Sequence, residues 1–196
     1  EIYEQPSAVV DTLRGRLKLK EGMIKLSGVD DYIDKFMSAN KITIVACGTS
    51  WHAGLIAEYM FEKIAKIPVE VEYASEFRYR NPVIDKSDIV VAISQSGETA
   101  DTYAALDLCN KNKLKTCSIV NVVESSIARD SKFVLPIHCG PEIGVASTKA
   151  FLGQMLVLYI LCLKLAYERK EIDKKLFSSK IKSLLELSKN VKKTLL

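Results

Sequence analysis

The stretch Ile42-Thr43-Ile44-Val45-Ala46-Cys47-Gly48-Thr49-Ser50 decides the fold class. A β-branched run without polar alternation reads as a strand covered on both faces, as in a parallel sheet. The Gly48 turn follows at once, and residues 50–66 read as a helix that Pro68 stops. The same grammar recurs downstream. Asp88-Ile89-Val90-Val91-Ala92-Ile93 is a second apolar strand, Ser94-Gln95-Ser96-Gly97-Glu98-Thr99 is its turn, and residues 99–110 form the next helix.

Working outward, a short strand at 69–72, a strand at 116–121, a short helix at 125–130 and a strand at 133–137 complete the alternation. Strands separated by helical crossovers predict an α/β fold. The expected form is a three-layer αβα sandwich around a five-stranded parallel sheet, in the flavodoxin-like order 2-1-3-4-5. An apolar helix is expected over 147–167. The N-terminal segment 1–40 and the lysine-rich segment 171–196 read as helical extensions of a single domain spanning 1–196.

Composition narrows the class. The chain has 196 residues, 48% hydrophobic and 27% charged, which excludes a disordered or collagen-like protein. The longest run without charge or proline, 150–163, has 14 residues, short for a bilayer span, so no membrane association is expected. The first residue is Glu1, with no basic-then-apolar leader after it, so a piece of a longer, non-secreted chain is expected. Five scattered cysteines without a C-x-x-C pair, and two histidines without ligand spacing to them, predict buried thiols in a reducing, cytoplasmic setting, with no metal and no cofactor. From Lys164 onward ten Lys/Arg stand against four Asp/Glu, which accounts for the net charge of +4. These cations alternate with apolar residues and lack interleaved aromatics. They read as the wet face of a helix, and no nucleic-acid partner is expected.

Open parallel sheets bind ligands at the carboxyl ends of their strands, where crossovers diverge. That crevice falls between the turns 47–50 and 94–99, which offer hydroxyls at Thr49, Ser50, Ser94, Ser96 and Thr99 together with Gly48 and Gly97. Helix N-termini, free N–H groups and hydroxyls make an anion site, and a phosphate is the natural guest. The plainer alternative is helix capping. No G-x-G-x-x-G or G-x-x-x-x-G-K-[ST] occurs, so the phosphate belongs to a small molecule rather than a nucleotide. The loop from Gly140 to Lys149 can fold over the strand ends or serve only as a connector with Ser147 as N-cap; its charged residues Glu142 and Lys149 read as solvated loop charges, with a catalytic role for either as the alternative.

At Ala46-Cys47-Gly48-Thr49-Ser50 and Ser94-Gln95-Ser96-Gly97-Glu98-Thr99 the chain resembles a sugar isomerase (SIS) domain. Glu1-Ile2-Tyr3-Glu4-Gln5-Pro6, the segment from Ala74 to Arg80, and Glu142-Ile143-Gly144-Val145-Ala146-Ser147-Thr148-Lys149-Ala150 narrow the likeness to the glutamine:fructose-6-phosphate amidotransferase family, over residues 1 to 165. That resemblance implies the first of two SIS halves in an isomerase module, downstream of a glutaminase domain. It implies that Ser50, Ser94, Gln95, Ser96 and Thr99 hold the phosphate of fructose 6-phosphate or glucose 6-phosphate. Thr49 and the backbone of Val145, Ala146 and Ser147 would hold the sugar chain, with Cys47 and Gly48 completing the first turn. The family's acid–base glutamate, ring-opening histidine and imine-forming lysine lie outside this half, so no catalytic residue is expected here. Trp51-His52-Ala53-Gly54 departs from the family's small and polar residues after the turn. A sugar-phosphate-sensing SIS domain of a regulator and a free-standing phosphosugar isomerase are the alternatives. A homodimer is expected, because a helix apolar all round at 147–167 needs a second surface, from a partner chain or from the C-terminal helix.

Overall fold

A computed structural model describes residues 1–195; the last position of the expected segment 171–196 lies outside the described residues. Five strands, β3 (Ile42–Ala46), β4 (Val69–Tyr73), β5 (Ile89–Ser94), β6 (Lys115–Val120) and β7 (Phe133–Pro136), follow a two-stranded ribbon of β1 (Leu17–Lys18) and β2 (Met23–Ile24). The sheet order is β4-β3-β5-β6-β7 with every pair parallel, which is the expected 2-1-3-4-5 arrangement. β3 and β5 are buried at every position, so the sheet centre is sealed from water on both sides.

The pleat divides the apolar residues between two cores. Ile42, Ile44 and Ala46 of β3, with Ile89, Val91 and Ile93 of β5, face one layer. That layer holds α1 (Gln5–Leu13), α3 (Gly48–Met60, continued by a π-helical turn Phe61–Ala65), α7 (Lys149–Glu168) and α8 (Lys174–Thr194). Val45, Val90 and Ala92 face the other, built from α4 (Ala74–Tyr79), α5 (Ala100–Lys111) and α6 (Ser126–Asp130). Alternation along a fully apolar strand therefore serves two cores at once.

α7 is the centre of the larger core. Ala150, Leu156, Val157, Ile160, Leu161 and Leu165 are all buried. By length and composition the helix suffices to cross a membrane, since it runs on past the uncharged stretch, yet it is largely buried within the protein. Lys164, which ended that stretch in the sequence, is itself buried; its ammonium donates to the Ile24 carbonyl at 3.2 Å and pairs with Asp30 at 3.2 Å. The second surface that this helix requires comes from α1, α3 and α8 of the same chain. Its all-round apolarity is therefore no argument for a homodimer.

The N-terminal segment 1–40 is not helical throughout. α1, a single 3-10 turn at Asp30–Tyr32 and the short α2 (Ile33–Met37) are helical, but the β1–β2 ribbon lies between α1 and that turn. Two-residue strands carry no readable period, which is why the sequence did not reveal them. This segment covers the free edge of β7. Arg16 donates to the Pro136 carbonyl, Tyr32 and Phe36 pack on Phe133, and the Gly28 backbone lies against Val134. The opposite edge, β4, is protected by charge instead: Glu70 pairs with Lys41 at 2.6 Å, and Glu72 accepts from Arg80 Nε at 2.7 Å.

A Cβ at Gly28 would sit 1.8 Å from the Val134 carbonyl oxygen, a backbone atom that cannot step aside alone. Gly28→Ala should destabilise the fold by about 1–3 kcal/mol through overpacking. Urea unfolding should show a lowered midpoint at unchanged slope.

Candidate functional site

β3 and β5 are neighbours, with Ala46 beside Ile93 in the register. From β3 the chain crosses through α3 to β4 on one side. From β5 it crosses through α5 to β6 on the other. The crossovers leave in opposite directions and on opposite faces, so their first turns cannot close over the strand ends. The switch point between the two strands is flanked by residues 47–50 and 94–99.

The turn from Ser94 to Thr99 is held by its own hydrogen bonds. Ser94 Oγ accepts the Gly97 N–H at 3.0 Å and is hydrogen-bonded to Thr99 Oγ1 at 2.9 Å. Ser96 Oγ accepts from Glu98 N at 3.1 Å. The Gln95 and Gly97 carbonyls accept from Asn121 N and Ile127 N at 3.1 and 3.0 Å, which ties the turn to the end of β6 and to α6. Gly97 has φ +67°, and a Cβ there would lie 1.9 Å from Ser125 Oγ. Both reasons demand glycine.

Helix capping does not explain these hydroxyls. Thr99 is the N-cap residue of α5 and Cys47 that of α3, and neither makes a side-chain cap hydrogen bond. The leading N–H groups of both helices therefore lack the usual side-chain acceptor, the arrangement that favours an anion. Ser96, Gln95 and Thr99 are half-buried, Gly48 and Thr49 are exposed, and Ser94 is buried behind them. Cys47 is half-buried, its sulfur 3.8 Å from the Thr102 hydroxyl. Ser50 is buried, and its Oγ accepts from Gln154 Nε2 of α7 at 3.0 Å, a partner the sequence did not indicate.

The loop before α7 is held at both ends by carboxylates. Glu142 accepts from the Ser147 hydroxyl, Thr148 N and Ala150 N at 2.9, 2.9 and 3.2 Å, so it caps the helix. Ser147 Oγ in turn accepts from Phe151 N at 3.2 Å. Glu1 accepts from Ile143 N and Gly144 N at 2.7 and 3.0 Å, and these N–H groups hold its carboxyl below the usual range. Glu4 is hydrogen-bonded to Lys149, which lowers the Glu4 carboxyl and raises the Lys149 ammonium. Lys149 is buried, contrary to the expectation of a solvated loop charge. Glu1 and Glu4 lie far away in sequence, so no spacing could have revealed these pairs. Val145 and Ala146 stand exposed at the tip.

A cleft of about 730 Å³ lies beside this turn rather than in it, lined by Asn121, His138, Gly140 and Arg14 among others. Burial pushes the His138 imidazole down. His52 packs edge-on against Trp51, which stacks on Tyr73 at 4.2 Å. Among the described residues no three His, Cys, Asp or Glu side chains converge as a metal-ligand set.

Residues 35–164 match the family described as SIS domain. The isomerising glutamine–fructose-6-phosphate aminotransferase of Bacteroides thetaiotaomicron is 50% identical over 100% of this chain, which covers 32% of that protein. Its counterpart in Chlorobaculum tepidum is 53% identical over 86% of the chain, covering 28% of the relative. The solved C-terminal domain of glucosamine-fructose-6-phosphate aminotransferase from Francisella tularensis superposes with a TM-score of 0.88 at 40% identity, over 95% of this chain and 52% of that one. The chain thus spans about a third of the length of the curated relatives and about half of the solved domain.

Glu98 ties the turn to α6, since its carboxylate accepts from Ser126 N at 2.7 Å and its pKa is thereby lowered from 4.5. A depressed folded pKa means that the stabilisation is present above about 4.5 and is lost as pH falls through the folded value. The stability difference between the native chain and Glu98→Gln should therefore be largest near neutral pH and shrink steadily in acid, as read by urea unfolding across pH.

Proposed function

We propose, from the premise that this chain belongs to the SIS domain family, that it is the fructose-6-phosphate-binding half of the isomerase module of an isomerising glutamine–fructose-6-phosphate aminotransferase. The observation that carries this reading is the pre-built turn from Ser94 to Thr99, whose hydroxyls are not consumed in helix capping. The whole-chain similarity to named aminotransferases supports the substrate.

In this reading the phosphate sits over the N-termini of α3 and α5. Ser50, Ser94, Gln95, Ser96 and Thr99 hold it, with one of the paired Ser94 and Thr99 hydroxyls keeping its proton for the phosphate, and the hydrogen bonds already made by Ser94, Ser96 and Thr99 lower the ordering cost of binding. Thr49 and the backbone of Val145, Ala146 and Ser147 take the sugar hydroxyls, with Cys47 and Gly48 shaping the first turn. Ring opening, amino transfer and isomerisation need acid–base groups and an amine acceptor chemistry that these turns do not offer. This half holds and orients the substrate, and a second SIS half supplies the reacting groups, with a glutaminase domain as the source of ammonia. A cytoplasmic location fits the substrate and the five free thiols.

Hydrogen bonds to a charged acceptor are each worth about 1.5–3 kcal/mol. Ser96→Ala and Thr99→Ala should therefore weaken fructose 6-phosphate binding by roughly 10- to 100-fold in calorimetry. Asp173→Ala removes the cap that accepts from Leu176 N at 2.7 Å in α8. It should cost about 1 kcal/mol of stability and leave the affinity unchanged. Unaltered affinity in Ser96→Ala would remove the phosphate from this turn, and isomerisation by the chain alone would show a missed acid–base residue.

We also propose that the chain pairs with a second copy when its other half is absent. An apolar groove of about 350 Å³ between α3, α7 and α8, lined by Ile56, Met60, Met155, Tyr159 and Leu187, remains uncovered in this chain. Light scattering at micromolar concentration should give twice the chain mass; a monomer mass would overturn the pairing.

A further inference from the structure

Gln154 is a polar residue in an apolar setting. It lies on α7 among Ala150, Leu156, Val157 and Leu158, is 0% exposed, and its Oε1 has no hydrogen-bond partner among the described residues. Burying a primary amide with one end unpaired costs free energy that an apolar side chain of similar length would avoid. The one contact that offsets this is the Nε2 hydrogen bond to Ser50 Oγ at 3.0 Å. α3 is buried along the line of Ser50, Ala53, Gly54 and Ala57, and at Gly54 a Cβ would collide with Val71 and Ile44, so the absence of a side chain there lets α3 lie close on the sheet.

The direction of that bond matters. An amide N–H can only donate, so the Ser50 oxygen acts as acceptor and its own proton is left to point elsewhere. Ser50 lies in the first turn of α3, whose leading N–H groups bound the crevice. A hydroxyl that accepts from one side donates more strongly on the other, because hydrogen bonds in a chain polarise one another. Gln154 also sits about two turns along α7 from Ser147. The helix that begins at the sugar loop therefore also fixes the phosphate turn.

We propose that Gln154 is a positioning residue for the ligand-binding Ser50, its amide holding the serine oxygen so that the hydroxyl proton is directed at the phosphate of a bound sugar phosphate. The proposal rests on the functional reading given above. It adds a residue that touches no ligand and acts through another side chain.

A double-mutant cycle tests it, with fructose 6-phosphate as the probe and calorimetry as the readout. Gln154→Met keeps the length and apolar packing and removes the donor. It should lower affinity about 5- to 20-fold while the chain still unfolds cooperatively. In a Ser50→Ala background the same substitution should change affinity less than about twofold, since the hydroxyl through which it acts is gone. Should Gln154→Met fail to fold, Gln154→Leu, which is smaller and equally apolar, removes the same donor and should lower affinity by a similar factor. Equal affinity of the native chain and Gln154→Met, or losses that simply add in the double variant, would reduce Gln154 to a packing residue and overturn the proposal alone. Absence of binding by the unaltered chain would overturn the functional reading and this proposal with it.

Discussion

The pairing of β3 with β5 is the constraint on which the rest depends. Two strands buried at every position must lie at the sheet centre, and their hydrogen-bonded register sets Ala46 beside Ile93. Because the chain leaves these strands in opposite directions, the turns at their carboxyl ends diverge and cannot close over one another. The place where these two turns start side by side is thus a product of the topology. Glycine at 48 and 97 lets the chain turn sharply at both strand ends, with φ of +57° and +67°.

The two layers contribute unequally. The smaller layer of α4, α5 and α6 fixes the turn from Ser94 to Thr99 by backbone hydrogen bonds from Asn121 and Ile127 and by the Glu98–Ser126 contact. The larger layer is organised by α7, which reaches the other turn through Gln154 and carries the loop of Val145, Ala146 and Ser147 at its start. Glu1, Glu4 and Glu142 pin that loop, so the segment N-terminal to α1 is part of the same assembly. Hydrogen bonds thus fix the turn from Ser94 to Thr99, while Val145 and Ala146 stand exposed at the tip of the loop.

Buried polar groups mark the places where the structure serves something other than stability. Lys149 and Lys164 are both withdrawn from water, yet each has a carboxylate partner, Glu4 and Asp30. Gln154 is different, since half of its amide is unpaired. Arg16 resembles it: its Nη1 is buried without a partner, and burial pushes its pKa down to about 10 while it holds the β7 edge.

The sequence by itself determined the fold class and the two turns that follow the central strands, and it suggested the strand order, which the pairing in the structure fixes. The class and the turns are written in local pattern: apolar runs such as 42–46 and 89–93 can only be central strands, and a glycine with hydroxyls after such a run can only be a turn at a helix start. The boundaries were close for the same reason, as with the helix expected at 99–110 and found at Ala100–Lys111. What only the tertiary structure decided depends on contacts between distant residues. The β1–β2 ribbon is too short to carry a period, and its place is set by the exposed edge of β7. Lys149 looked like a loop charge until Glu4 appeared beside it, and Gln154 looked like an ordinary helix residue until Ser50 was found within 3.0 Å. Such pairs have no signature in one sequence, because hydrogen bonds form by proximity in space, and proximity across more than a hundred residues is a property of the fold.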